Sequence, residues 1–237
     1  MSARIILWDL ETSNLNANFG YILCAGWKVY GEKKVNIFKI SDYNLYDKDP
    51  TNDKEVVRDM AEVLVSADIH VAHYGKWFDR TYLQSRLLHH GLDPIPNIPL
   101  VDTWKIAKDN LKLNSNRLQT ITEFLQLEDK TPIRGPHWVK AMSGNKTSLN
   151  YVVKHCRQDI VVLEQVYEKL RPLMTNHPNV NIVSGSTDSC PICGTKGKLQ
   201  KRGFTIARVN KKQRYQCTEC GGWSHGRPIK SDGIYVR

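Results

Sequence analysis

Residues 4–11 read Arg4-Ile5-Ile6-Leu7-Trp8-Asp9-Leu10-Glu11, a run of apolar residues that ends in two acids. Strand alternation places Ile5, Leu7, Asp9 and Glu11 on one face and Ile6, Trp8 and Leu10 on the other. The acids therefore continue a face that is otherwise core. Two like charges in that position are costly unless a cation neutralises them, or unless the strand simply ends there in a solvated loop.

Outward from this strand, residues 21–30 and 34–40 are two further β-rich runs separated by Gly31, which predicts an antiparallel meander. The pattern then turns helical. Thr51, Asn52 or Asp53 can cap a helix that carries Val56, Val57, Met60, Val63 and Leu64. Residues 69–73 form a short apolar strand, and Gly75 begins a turn into a helix that stops at Gly91. A last short strand ends at Asp102, followed by helices over residues 103–111, 117–127 and 148–170. Strands first, then strands alternating with helices, predict an α/β fold with a mixed sheet flanked by helices.

The chain has 237 residues and a formal charge of +10. That charge is concentrated. Residues 186–237 contain six Lys and five Arg against Asp188, Glu219 and Asp232, a net of +8, while the first 185 residues are nearly neutral. With 41% hydrophobic residues the chain can bury a real core, and no apolar run approaches the roughly 20 residues needed to cross a bilayer. Asp9 and Glu11 interrupt the N-terminal apolar stretch too early for a signal peptide, which places the protein in a cytosol. The basic segment calls for a polyanionic partner, nucleic acid before membrane surface.

Two more acids occupy informative positions. In His73-Tyr-Gly-Lys-Trp-Phe-Asp79, a strand, a glycine turn and the start of a helix let Asp79 point back over the sheet; alternatively it is a helix N-terminal acid favoured by the dipole. In His155-Cys-Arg-Gln-Asp159, the spacing of four puts His155 and Asp159 on one helical face, near the apolar stripe of Val152, Val162, Leu163 and Val166; alone this is an ordinary surface pair.

Taken in order, D-x-E on the first strand, F-D after a later strand and H-x-x-x-D on a late helix resemble the DEDD (DnaQ-like) superfamily of 3′–5′ exonucleases, whose domain has a ribonuclease H-like fold. The resemblance covers residues 4–172 and is nearest to the predicted ribonuclease H-like exonucleases of bacteria and phages. It implies that Asp9, Glu11, Asp79 and Asp159 bind two Mg²⁺ or Mn²⁺ ions, hard cations suited to oxygen ligands. The superfamily divides by a Tyr four residues, or a His five residues, before the last acid. Here a His stands four before, so His155 combines the chemistry of one branch with the spacing of the other; its expected role is to orient or deprotonate the attacking water. Lys76 and Arg117 are candidate phosphate contacts and Asp102 a candidate supporting acid.

The basic tail holds Cys190-Pro-Ile-Cys193 and Cys217-Thr-Glu-Cys220. Paired C-x-x-C separated by 23 residues, with Gly194 and Gly221 allowing tight turns, predicts a zinc ribbon closed around one structural Zn²⁺. Cys24 and Cys156 are expected to be small buried apolar residues. Lys201, Arg202, Arg208, Lys211, Lys212 and Arg214, interleaved with Phe204, Tyr215 and Trp223, suit nucleic-acid binding; a protein-docking module is the alternative.

The expected organisation is a ribonuclease H-like domain over residues 1–173, a linker over 174–189 and a zinc ribbon over 190–237. The expected activity is metal-dependent hydrolysis of DNA or RNA from 3′ ends. A structure-specific endonuclease and a non-catalytic nucleic-acid adaptor are the competing readings.

Overall fold

A computed structural model of the chain describes residues 2–127, 135–207 and 209–230. Two compact units are present, one of Arg4–Tyr167 and one that begins at Glu168.

In the first unit, β1 (Ile5–Thr12), β2 (Ile22–Val29) and β3 (Asn36–Lys39) form the expected meander. After two short 3₁₀ turns come α1 (Lys54–Val65), β4 (Ile69–Ala72), α2 (Asp79–His89), β5 (Leu100–Asp102) and α3 (Thr103–Asn110). The helices α4 (Leu118–Phe124), α5 (Gly135–Met142) and α6 (Lys146–Leu170) follow. The sheet order is β3-β2-β1-β4-β5. β1 pairs antiparallel with β2 and parallel with β4, and β4 pairs parallel with β5. A parallel partner cannot be reached by a tight hairpin, so α1 and α2 serve as the crossovers. The expected mixed sheet with flanking helices is thus the observed one.

β1 is central, and its apolar residues are buried on both faces: Ile6, Leu7 and Trp8 have no exposure at all. α1 contributes Val56, Val57, Met60, Ala61 and Leu64 to the core. Each large apolar side chain buried in this way contributes about 1.5–3 kcal/mol. Asp53 precedes α1, yet its side chain makes no cap hydrogen bond. Fully buried, it accepts from the Ile22 amide at 2.8 Å and from Arg86 Nη2 at 2.7 Å, with His90 Nε2 at 2.6 Å. It therefore ties β2 to α2. Asn52 Oδ1 instead takes the Lys54 amide at 3.2 Å, an Asx turn just before the helix.

In the second unit, α7 (Asn181–Ser184) lies within the stretch expected as a linker, and β6 (Leu199–Ile206), β7 (Asn210–Cys217) and β8 (Trp223–Lys230) form an antiparallel sheet in that order. At the cysteines it buries a small cluster of Cys190, Ile192 and Cys217, with Leu199, Cys193 and Cys220 packed against them. Arg208 lies outside the described residues. No helix among the described residues is long and apolar enough to cross a membrane.

Candidate active site

Asp9 pairs with Gly26 across the β1–β2 ladder, and Glu11 pairs with Cys24. Gly26 faces α6. A Cβ at that position would lie 2.7 Å from Cys156 Sγ, which forces a shift, and a tight 3.2 Å from Ile160 Cγ1. The missing side chain lets α6 settle on the face that carries Asp9 and Glu11. One helical turn then brings both His155 and Asp159 to that face, with His155 Nε2 3.5 Å from Asp159 Oδ2.

Ligand atoms of Glu11, His155 and Asp159 all lie within 4.8 Å of one another, and so do those of Asp9, Glu11 and Cys156. Glu11, His155 and Asp159 are buried, so their charges interact through little water. Carboxylate oxygens and an imidazole converging at this distance are a donor set suited to a small hard divalent cation, which would relieve their mutual repulsion. Cys156 and Cys24 are both fully buried, as expected, and the hydrogen bond with Cys24 together with burial raises the Cys156 thiol well above its usual range.

Asp79 reaches the same strand by a different route. The turn before α2 contains Tyr74 in the left-handed region, at φ 63°, followed by Gly75, where a Cβ would sit 2.4 Å from the Ala72 Cβ. Asp102 holds this turn: its carboxylate accepts from the amides of Tyr74 at 2.9 Å and Lys76 at 3.1 Å, and it also caps α3 through the Trp104 amide at 3.1 Å. β4 pairs with β1 only as far as Leu7, so the Leu10 amide lies past that ladder. Asp79 Oδ1 accepts it at 3.0 Å. The buried carboxyl thus arrives between Asp9 and Glu11 along the chain, held to β1 backbone and outside both three-ligand groups. Burial pushes its pKa up to about 7, against the opposing pull of the Leu10 and Asp79 amides, with Asp102 adding to the rise.

Asp9 and Asp159 open onto a cleft of about 570 Å³, which Arg117 and His73 also line. His73 is a brace. Its Nε2 donates to the Asn116 carbonyl at 3.0 Å and its Nδ1 lies 2.9 Å from the Thr103 hydroxyl. Lys76 is not among the residues lining this cleft; its ammonium sits 5.0 Å from the centre of the Trp77 ring. Tyr74 and Trp104, which the sequence reading did not single out, form an edge-to-face pair at 4.8 Å on the cleft wall. Their only signal was proximity along the chain to His73 and Asp102. Gly26 was missed as well, because its importance depends on a helix more than a hundred residues later.

In the second unit the four cysteines converge. Cys190 Sγ lies 3.7 Å from Cys220 Sγ and Cys193 Sγ 3.8 Å from Cys217 Sγ, with all four sulfurs within 4.8 Å of one another. A tetrahedral zinc with metal–sulfur bonds of about 2.3 Å has sulfur–sulfur edges of about 3.8 Å, so this donor set fits that ion. The two arms are built alike. The Gly194 amide donates to the Cys190 carbonyl at 2.8 Å and the Gly221 amide to the Cys217 carbonyl at 3.0 Å, both glycines having positive φ. Lys201 and Arg202 lie on β6 and Lys211, Lys212 and Arg214 on β7, away from the acids in sequence and in a different unit.

The sequence profile of the RNase_H superfamily (RNase_H_2) matches residues 6–171. The DNA polymerase III PolC-type of Ureaplasma parvum serovar 3 is 27% identical over 146 residues, which is 54% of this chain and 10% of that protein. The family B DNA polymerase of the hyperthermophilic archaeon Pyrobaculum calidifontis matches 79% of this chain and 28% of its own, with a TM-score of 0.54 and 14% identity, a likeness of fold. The chain thus corresponds to a minor share of each of these larger proteins. The superfamily match supports nuclease chemistry in general terms. With the profile running from β1 to the end of α6, the chain belongs to the RNase_H superfamily.

Proposed function

We propose that this protein is a metal-dependent 3′–5′ exonuclease that hydrolyses phosphodiester bonds of DNA or RNA. In this reading residues 1–173 are the catalytic domain, 174–189 a linker and 190–237 a zinc ribbon that helps to hold the nucleic acid. The observation that carries it is the convergence of Glu11 from β1 with His155 and Asp159 from α6, beside Asp9, at the mouth of an open cleft.

Asp9, Glu11, Asp79 and Asp159 are the residues that would hold two Mg²⁺ or Mn²⁺ ions. Bound there, the ions would supply Lewis-acid stabilisation of the phosphate and of the leaving 3′ oxygen. His155 orients the attacking water and takes its proton: an imidazole titrates near neutrality, and Asp159 one turn away stabilises the imidazolium that results. Arg117, exposed on the cleft wall, contacts a phosphate of the bound strand. The Cys190, Cys193, Cys217 and Cys220 thiolates hold one structural zinc.

The test is a degradation panel of 5′- and 3′-labelled DNA and RNA, single- and double-stranded, linear and circular, with Mg²⁺, Mn²⁺ or EDTA. Stepwise shortening from 3′ ends, dependent on the divalent ion and abolished in Asp9→Ala, is expected. Cleavage of a circular single strand would identify an endonuclease instead. Binding without any cleavage would identify an adaptor.

A further inference from the structure

We infer that the face of the C-terminal sheet bearing Trp223 and Arg214 is a stacking site for an unpaired base of single-stranded nucleic acid. This rests on nucleic acid being the protein's substrate class, and it assigns to the second unit a preference for single strands.

Strand alternation and register define the face. On β7, Lys212, Arg214 and Gln216 point one way. Their cross-strand partners are Thr205, Gln200, Pro228, His225 and Trp223. Thr205, Arg214, Trp223 and His225 line one cavity of about 450 Å³, closed on its other side by Met174, His177 and Ile192 among others. That volume lies in the range of pockets that take a small planar ligand.

Trp223 is 40% exposed and takes no part in the cysteine-centred core, so a large flat indole is presented to solvent without a packing role in that core. Its position is nevertheless fixed. It follows Cys220-Gly221-Gly222, where Gly221 has positive φ and a Cβ on Gly222 would lie 2.6 Å from Ile192 Cδ1. The Arg214 guanidinium carbon stands 5.5 Å from the Trp223 ring centre, and its Nε donates to the Arg202 carbonyl at 3.2 Å. A ring and a cation held in place before the ligand arrives lose little entropy on binding.

The chemistry selects the ligand. Among the described residues no acidic side chain lines the cavity, and residues 186–237 carry a net +8, or +6 with four thiolates and one Zn²⁺, so the occupant is anionic. An indole offers stacking, which needs an exposed base face; a paired and stacked duplex has none to give. The pair of Lys211 and Phe204, with the ammonium 4.8 Å from the ring centre, belongs to the opposite face and provides an internal comparison.

The experiment uses the full zinc-loaded chain carrying Asp9→Ala, so that oligonucleotides persist, and follows fluorescence anisotropy of labelled oligo-dT, oligo-U and a blunt DNA duplex. Trp223→Ala is expected to weaken binding of single strands by about 5- to 100-fold, Trp223→Phe to retain most of it, and duplex affinity to change little. Arg214→Ala is expected to reduce the slope of log K against log salt for single strands by about 0.7. Zinc content is measured for every variant, and Trp223→Leu, which keeps apolar bulk without a ring, repeats the test where alanine loses the metal. Unchanged single-strand binding in Trp223→Ala, an equal loss for duplex, a loss seen in Phe204→Ala alone, or competition by polyglutamate as effective as by oligo-dT would each overturn the assignment. Cleavage by the wild-type chain with Trp223-independent binding would remove this site and leave the nuclease reading. Trp223-dependent binding without cleavage would do the reverse.

Discussion

His155 stands among ligand atoms as well as beside the cleft: its Nε2 is 3.5 Å from Asp159 Oδ2 and within 4.8 Å of a Glu11 oxygen. Two roles follow from that position, and they separate experimentally. As the base, His155→Ala lowers single-turnover cleavage by about 10²-fold or more and leaves Mn²⁺ affinity, read by calorimetry, where it was. As a ligand, the same variant loses rate and Mn²⁺ affinity together; we expect the first pattern, and near-full activity would place the base elsewhere. A different histidine governs stability. His70 on β4 is wholly buried, its Nε2 donates to the Leu64 carbonyl at 2.9 Å, and its Nδ1 lies 3.2 Å from Arg80 Nη2. Burial lowers its pKa to about 4, the Leu64 carbonyl resists that shift and the Arg80 charge adds to it. The unfolded imidazole titrates near 6.5. Between those values the unfolded chain binds a proton that the folded chain refuses, so the stability from neutral His70 is complete above pH 6.5 and is lost as pH falls toward 4. The urea midpoint of the wild type should therefore fall more steeply over this window than that of His70→Asn; parallel curves would refute the assignment.

At the scale of elements, the placement of α6 on the sheet decides whether the site exists. Lys28 on β2 forms a buried ion pair with Glu164 of α6, and Glu164 Oε1 also accepts the Gly31 amide at 2.9 Å. Gly26 leaves room for Cys156 and Ile160 of that helix. Gly26→Ala must push Cys156 and Ile160 outward, which costs roughly 1–3 kcal/mol of stability by overpacking. Because His155 and Asp159 ride on the same helix, kcat should drop by more than it does in Met60→Ala, a core variant on α1. Equal losses relative to stability, measured by denaturation and cleavage side by side, would show that α6 placement does not limit the reaction. The sequence revealed what depends on local period: β1 with its two acids by alternation, α1 and α6 by helical spacing, the two cysteine arms by their turns. It concealed what depends on remote partners. Asp53 reads as a cap but is committed to the Ile22 amide, Arg86 and His90, and nothing near it in sequence says so. β8 was missed because Gly226 and Pro228 interrupt Trp223–Lys230, and Pro228 is tolerated there because β8 is an edge strand of its sheet. Asp102 looked like a possible supporting acid, but its four-amide grip on the 74–76 turn and the α3 start depends on loop geometry that no periodicity encodes.

Across the whole molecule the two units differ in what makes them fold. The Arg4–Tyr167 unit has an extensive core built on a five-stranded sheet, with Trp8, Leu23, Met60, Leu64 and Leu83 essentially inaccessible. Among the described residues of the second unit, the buried cluster at the cysteines is Cys190, Ile192 and Cys217, with Met174 and Val180 also buried, while Phe204, Ile206, Val209 and Ile229 stay exposed. In the proposed reading, metal ligation by the four cysteines supplies stability that so small an apolar cluster does not. Four thiols crowded within 4.8 Å become an asset only when a cation holds them. Cys217→Ser is therefore expected to leave residues after Glu168 open to limited proteolysis while the Arg4–Tyr167 unit keeps its cooperative thermal transition. The charge division gives the functional consequence. The basic excess resides in residues 186–237, so the variant should lose salt-sensitive affinity for long oligonucleotides, whereas cleavage of short ones, which need only the acidic cleft, should fall far less. Protease resistance of the C-terminal residues in the variant would show that the ribbon stands on its own packing. Equal loss of cleavage on short and long substrates would show that it does more than hold the strand.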